Sequence, residues 1–267
     1  MGTIVAVANQ KGGVGKTTLA VHLAAYLAAR GRSVIVVDAD PQGNATSWLL
    51  GDIPGTSALY NILVARRPLR EQLVTVHEWG VRLLPGNWET GEAITFLVAA
   101  HKPLDTAARA LAPLRDMADY VVLDMPPSRM AGFRELLFAA DGLVVPTLLE
   151  RLSVEGVVFM YRVVGELREE YGHAPRLLGI VPNMVRRTRE HREQMQELVQ
   201  TFGEVVWPPV PLSVRVAEAS AYGENLFRYA PREGVTGALA KVCRRFLMVM
   251  EGDDDEEGEG EKGRAAH

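Results

Sequence analysis

Along this chain short apolar runs alternate with longer segments in which apolar residues recur every three or four positions. The runs cover residues 4–7, 34–37, 120–123, 143–146 and 177–182, none interrupted by a charge; the periodic segments include 19–27 and 153–171. An unbroken apolar run predicts a strand buried on both faces, and a three-to-four period predicts a helix with one buried stripe. Their alternation predicts an α/β domain of the doubly wound type: a mostly parallel sheet of seven or eight strands with helices on both faces. Residues 45–118 are less regular. A loop around Arg66, Arg67 and Pro68, a short strand and turn over 81–87, and a mostly helical 90–114 broken at Pro103 are expected there, with no chemistry assigned.

The first strand and helix frame residues 9–18, Asn-Gln-Lys-Gly-Gly-Val-Gly-Lys-Thr-Thr. A glycine-rich turn entering a helix points successive N–H groups at one anion, and the helix dipole adds positive potential. Lys16 is placed to reach the outer phosphates of a nucleotide and the Thr17 hydroxyl to bind Mg²⁺. Gly12, Gly13, Val14, Gly15, Lys16, Thr17 and Thr18 therefore read as an NTP-binding P-loop. Two carboxylates, Asp38 and Asp40, end the second apolar run in Asp-Ala-Asp-Pro-Gln-Gly-Asn. A third, Asp124, ends the run 120–123 and precedes Met125, Pro126, Pro127 and Ser128. An open α/β sheet places its ligand chemistry at such carboxyl ends, and an apolar strand ending in aspartate suits a Walker B metal ligand.

At 267 residues and 48% hydrophobic, the chain can bury one sizeable core without a second domain. Its one cysteine, Cys243, excludes an internal disulfide and any all-cysteine metal site within the chain; a small buried residue of the last helix is expected. With no basic leader before a long apolar region, and no run near about eighteen apolar residues, a soluble cytoplasmic protein is expected. The formal charge of −4 is unevenly spread, because residues 251–267 carry eight acids against Lys262 and Arg264 while the body is mildly basic. An acidic, glycine-interrupted segment cannot bury enough apolar surface to fold. The chain thus divides into a domain over 1–250 and a disordered tail over 251–267, which serves solubility or competes with nucleic acid for a basic face.

These boxes together resemble the ParA/MinD ATPases with a deviant Walker A box, most of all the ParA-type (Soj-like) partition branch. The resemblance spans residues 2–247: Lys-Gly-Gly-Val-Gly-Lys-Thr-Thr after Asn-Gln, Asp-x-Asp-Pro-Gln-Gly-Asn as switch I, and Asp-x-Pro-Pro-Ser as switch II. It implies an ATPase using ATP and Mg²⁺. Lys11 would cross a nucleotide-sandwich dimer to the partner's phosphates, Asp40 would position the attacking water, and Asp38 would support the metal site of Thr17 and Asp124. Asn183 and the Val210-Pro211 turn would lie near the adenine. Arg186, Arg187, Arg189 and Arg192, ahead of a helix reaching Phe202, and Arg215 in a Val-Arg-Val-Ala-Glu-Ala stretch match places where partition ATPases line a DNA-binding face. Three stretches depart from the family pattern: Arg129-Met130-Ala131-Gly132 after switch II, Leu212-Ser213 where Arg-Asn is usual, and Gly223-Glu224-Asn225 where Gly-Lys-Pro is usual.

The implied function is a slow, nucleoid-associated ATP switch. Two ATP-bound subunits close as a homodimer, bind double-stranded DNA without sequence preference, and release it when a ParB-like centromere-binding partner stimulates hydrolysis. No helix-turn-helix segment precedes the loop, so operator-specific binding is not expected. One alternative is a MinD-like ATPase cycling on membranes through an amphipathic helix over 239–250, which competes with a core-packed last helix; the acidic tail beyond it would be repelled by anionic lipid. Membrane binding is accordingly not expected. The other alternative is a P-loop metabolic kinase or ligase, which would need a substrate pocket with its own acid, base or clamp.

Overall fold

The computed structural model describes residues 1–127, 130–150 and 153–252. Ser128 of the switch II box, Arg129 after it, and the acidic tail from residue 253 lie outside the described residues. Seven strands form one sheet: β1 (Thr3–Val7), β2 (Val34–Asp38), β3 (Val74–Val76), β4 (Val81–Leu84), β5 (Tyr120–Asp124), β6 (Gly142–Leu148) and β7 (Arg176–Asn183). Their order is β3-β4-β2-β5-β1-β6-β7, and every pairing is parallel except β3 with β4. The apolar runs and the 81–87 segment mark six of these strands. β3 has no such run, since an edge strand of three residues with Val74 and Thr75 exposed buries too little to leave a pattern.

The helices are α1 (Lys16–Ala28), α2 (Asn44–Leu50), α3 (Ala58–Leu63), α4 (Glu89–Ala99), α5 (Thr106–Leu111), α6 (Phe133–Leu137), α7 (Ser153–Tyr171), α8 (Arg189–Phe202), α9 (Val214–Ala221), α10 (Leu226–Tyr229) and α11 (Gly234–Glu251). Strand residues alternate between two cores. Ile4 and Ala6 of β1 join residues of α3 to α8, whereas Val5 and Val7 join α1, α2 and α9 to α11. The last helix belongs to the second core: Leu239, Val242, Cys243, Phe246 and Leu247 are all buried. Phe246 meets Tyr120 and Trp207 edge-on at 5.5 and 6.5 Å, and truncating such a ring to alanine costs about 3–5 kcal/mol. Of the two roles weighed for this helix, its apolar face is spent on the core. Among the described residues no helix is long and apolar enough to cross a membrane.

Sheet register places the chemistry. β5 lies between β1 and β2, with Asp124 level with Val7 on one side and Asp38 on the other. The loop after β1 and the acids ending β2 and β5 therefore meet at one point on the carboxyl edge.

Candidate functional site

The glycine loop needs its glycines for two different reasons. Gly13 and Gly15 have φ of +73° and +91°, a left-handed region that side chains disfavour. Gly15 is also sterically locked: a Cβ there would stand 2.1 Å from Asn183 Nδ2, which donates to the Val14 carbonyl at 2.8 Å. Asn9 closes the base of the loop, its Nδ2 donating to the Pro146 carbonyl (2.7 Å) and its Oδ1 accepting the Lys11 N–H (3.1 Å). Lys16 opens α1 and is buried, with Nζ donating to the Lys11 carbonyl at 3.4 Å. Burial lowers its pKa, opposed by Asp124 and Asp40; a phosphate placed beside it would favour the charged ammonium.

Asp124 is fully buried, and its two oxygens differ. Oδ2 accepts from Thr17 Oγ1 at 2.7 Å, while among the described residues no donor reaches Oδ1. Burial first, and then the Asp38 charge, push its carboxyl well above the usual range. A buried carboxylate oxygen without a donor, beside a threonine hydroxyl, is ligand chemistry for a hard divalent cation. No three His, Cys, Asp or Glu side chains converge into a metal cage among the described residues. Mg²⁺ takes most of its ligands from phosphate and water, so the Thr17 hydroxyl and the Asp124 carboxylate are a sufficient protein share.

Asp38 is equally buried but differently employed. Its Oδ2 accepts from the Thr46 N–H (2.8 Å) and hydroxyl (2.7 Å), and its Oδ1 from the Asp40 N–H (3.2 Å). Burial raises its carboxyl, with the Thr46 bonds opposing. Grouped with the metal ligands on sequence, Asp38 here turns both oxygens to protein donors and orients residues 40–46. Asp40, also buried, accepts the Gln42 N–H on Oδ1 at 3.0 Å. Thr46 and Gly86, neither of which carries a motif, complete the support. The Gly86 N–H donates to Thr46 Oγ1 (2.8 Å), and a Cβ at Gly86 would lie 2.5 Å from the Asp38 carbonyl oxygen. The only sequence signal was a Leu-Pro-Gly-Asn turn following a strand, to which no chemistry attaches until the register brings it beside β2.

The remaining candidates fall into two groups. Asn183 is brought to Val210 and Pro211, because the segment after Trp207 runs beside β7: the Val210 N–H donates to the Pro182 carbonyl (2.8 Å) and Val185 bridges to Pro211. These three residues and Val14 are thus neighbours. The same pairing, continued by the Leu212 N–H on the Val185 carbonyl (3.1 Å), places the arginines of 186–192 and Arg215 on one edge. All five are exposed. Arg189 pairs with Glu193 (2.7 Å), and Arg215 with Glu218 (2.8 Å) and Glu233 (3.4 Å). Arg186, Arg187 and Arg192 have no carboxylate within ion-pair distance among the described residues. Lys11 is half exposed and pairs with Glu150. His22 was not a sequence candidate. Fully buried, it donates from Nδ1 to the Thr18 carbonyl (2.7 Å) and accepts the Leu226 N–H on Nε2 (3.0 Å), tying the phosphate end of α1 to α10.

A family model described as an AAA domain matches residues 2–176. The chromosome-partitioning ATPase Soj of Thermus thermophilus is 40% identical over 250 residues, covering 92% of this chain and 96% of that protein. The chromosome partitioning protein ParA of Caulobacter vibrioides is 31% identical, covering 91% and 93%. Among solved structures, cobyrinic acid a,c-diamide synthase of Mycobacterium smegmatis with bound ATP analogue and magnesium is 28% identical, with a TM-score of 0.77 over 93% of this chain and 95% of that one. At 21% identity the cell division ATPase MinD of Pyrococcus furiosus shares the fold, with a TM-score of 0.76 over 93% of this chain and 100% of that one.

Proposed function

Since this chain belongs to the ParA/MinD family of P-loop ATPases, with curated relatives named Soj and ParA, we propose that it is a ParA-type switch that binds and slowly hydrolyses ATP to drive DNA partition. Its ATPase domain runs one residue past the boundary expected at 250, since Glu251 ends α11 and pairs with Arg32 (2.6 Å), and the acidic tail follows. The observation that carries the reading is Asp124 Oδ1, a buried carboxylate oxygen that no donor reaches among the described residues, at the foot of the glycine loop beside the Thr17 hydroxyl.

In this reading the N–H groups of residues 12–18 and the Lys16 ammonium hold the phosphates, with Thr17 and Asp124 as protein ligands of Mg²⁺. The ion neutralises charge on the phosphate oxygens. Asp40 orients the attacking water, and Asp38, which grips the Asp40 N–H, sets that orientation. Asn183, Val210 and Pro211 flank the base. Lys11 exchanges Glu150 for the phosphates across an ATP-bound homodimer. Arg186, Arg187 and Arg192 supply the phosphate contacts of a sequence-independent DNA face. Arg189 and Arg215 contribute less, because each must first leave a carboxylate. A ParB-like partner stimulates hydrolysis. Burial of the apolar face of α11 in the core counts against a membrane-cycling alternative.

Three variants test the assignment. Lys16→Gln should lose ATP binding in a nucleotide titration. Lys11→Gln should keep most affinity but fail to dimerise with ATP, and Asp40→Ala should bind ATP and accumulate as a dimer without releasing phosphate. A monomeric Asp40→Ala at saturating ATP would refute the sandwich dimer.

A further inference from the structure

Beneath α7 lies a cavity of about 340 Å³ that shares no residue with the nucleotide site, and its volume is at the lower end of those that take small ligands. Leu143 and Val145 of β6 and Leu177 of β7 form its floor, and Val157, Met160 and Val164 of α7 its roof. Two local features keep it open. Gly165, in the second half of α7, lines it, and a Cβ built there meets nothing within 4 Å. Glycine weakens a helix interior, so here an apolar residue would have filled the gap and strengthened the helix together. In the floor, Leu177 pairs with Leu143 but Gly179 with Val144, so Leu178 is an extra residue that joins the core on the other face of the sheet. Such a bulge re-aims the side chains around it.

The walls are apolar and the mouth is not. Arg168, in the last turn of α7, and Arg176, at the start of β7, are exposed and are the only charged residues among those that line the cavity. Arg176 donates from Nη2 to the Val249 carbonyl (3.3 Å), and among the described residues neither guanidinium has a carboxylate within ion-pair distance. Tyr161 also lines the space, its ring stacked on Phe202 of α8 at 5.6 Å, which holds it as a side wall. Val157, Tyr161, Val164 and Arg168 recur at helical spacing, so one face of α7 runs from apolar roof to charged rim.

An apolar hollow with two guanidinium groups at its opening selects a molecule with an apolar tail and an anionic head. Burial of the tail is favourable without being directional, and a planar guanidinium matches a carboxylate with paired hydrogen bonds. A cationic head would be repelled, and a neutral one would leave both charges without a counter-ion. We propose that this cavity binds a small amphipathic monocarboxylate, its tail between α7 and the β6–β7 floor and its carboxylate on Arg168 and Arg176. Such a site is separate from the nucleotide pocket and independent of the ATPase reading.

The test is calorimetric titration of the full chain with decanoate, with decanol and decyltrimethylammonium as neutral and cationic controls. Decanoate should bind with a Kd below about 1 mM, decanol several-fold more weakly and the cation not at all. Gly165→Leu, which fills the space with a better helix former, should melt no lower than the native chain and lose decanoate binding. Arg168→Gln with Arg176→Gln changes only the exposed mouth; it should weaken decanoate about ten-fold and leave decanol unchanged. Saturating ATP and Mg²⁺ should not displace decanoate. Undiminished decanoate binding by Gly165→Leu or by the double arginine variant would overturn the proposal, as would no binding by the native chain at 1 mM. Equal binding of all three probes would mark unspecific adsorption of alkyl chains, and displacement by ATP would put the probe in the nucleotide site; either result refutes the assignment. A Gly165→Leu chain that melts lower or fails to fold would show that the space is already taken, which removes the cavity itself.

Discussion

Replacing Asp124 by asparagine should make the nucleotide-free protein more stable and the nucleotide-bound protein less so. The amide oxygen keeps the Thr17 hydroxyl bond now made at 2.7 Å, while the substitution removes a fully buried carboxylate, one of whose oxygens has no donor among the described residues. Asp38 and Asp40 add repulsion that Lys16 only partly offsets. Relieving an unsatisfied buried charge of this kind is worth about 1–3 kcal/mol. At about 2–4 °C per kcal/mol for a domain of this size, the apo melting temperature should rise by roughly 2–12 °C. Saturating Mg²⁺ and ATP should add about 3–4 kcal/mol to the native protein, at a hundred- to thousand-fold excess over Kd. The variant, lacking its metal ligand, should gain far less. Calorimetric melts at pH 7.5 with and without Mg²⁺ and ATP would then cross, the variant starting above the native protein and finishing below it. An apo variant that melts lower than the native protein would refute the claim that the Asp124 carboxylate is a stability cost retained for a cation, and equal protection by Mg²⁺ and ATP would refute its role as a ligand.

Gly15→Ala should abolish nucleotide binding and cost about 1–3 kcal/mol, since φ of +91° and a Cβ 2.1 Å from Asn183 Nδ2 cannot both be relieved without moving the loop; unaltered titrations and melts would contradict the packing. His22 is held neutral, burial lowering its pKa to about 4. The unfolded chain therefore binds more protons between pH 6.5 and 4, so this contribution is complete above about pH 6.5 and lost as pH falls through that window. Because the raised carboxyls of Asp38 and Asp124 act with the opposite sign, the measure is the difference between curves. His22→Gln should lose less stability than the native protein from pH 7.5 to 4.5, and parallel curves would count against it. Arg192→Ala should lower the log–log salt slope of ATP-dependent DNA binding by about 0.9, and Arg215→Ala, already paired with two glutamates, by less. Mobility shifts at several salt concentrations decide, and an unchanged slope for Arg192→Ala would remove it from the face.

Local chemistry made the strands, the glycine loop and the three acids readable from residue order. Fully apolar runs are intelligible without knowing their neighbours, because a strand buried on both faces tolerates little else. Gly13 and Gly15 are legible for the same reason: a left-handed φ is a property of single residues, and a strand ahead with a helix behind supplies its context. What depends on partners far along the chain was not legible. Asp38 and Asp124 both end apolar strands, yet the fold turns Asp38 to Thr46 and, among the described residues, brings no donor to one oxygen of Asp124. Gly86 acquires a role only because β4 lies beside β2. The five arginines looked alike in sequence until helix spacing and a carboxylate from the start of α11 neutralised Arg189 and Arg215 but not Arg192. The apolar stripe of α11 would serve a bilayer as well as a core; the acidic residues after it already disfavoured the bilayer, and its packing against α1 and the sheet spends it on the core. Residue order sets what each group can do; the register of strands and the meeting of distant segments decide which of those capacities are already satisfied inside the protein and which are left to face a ligand or a partner.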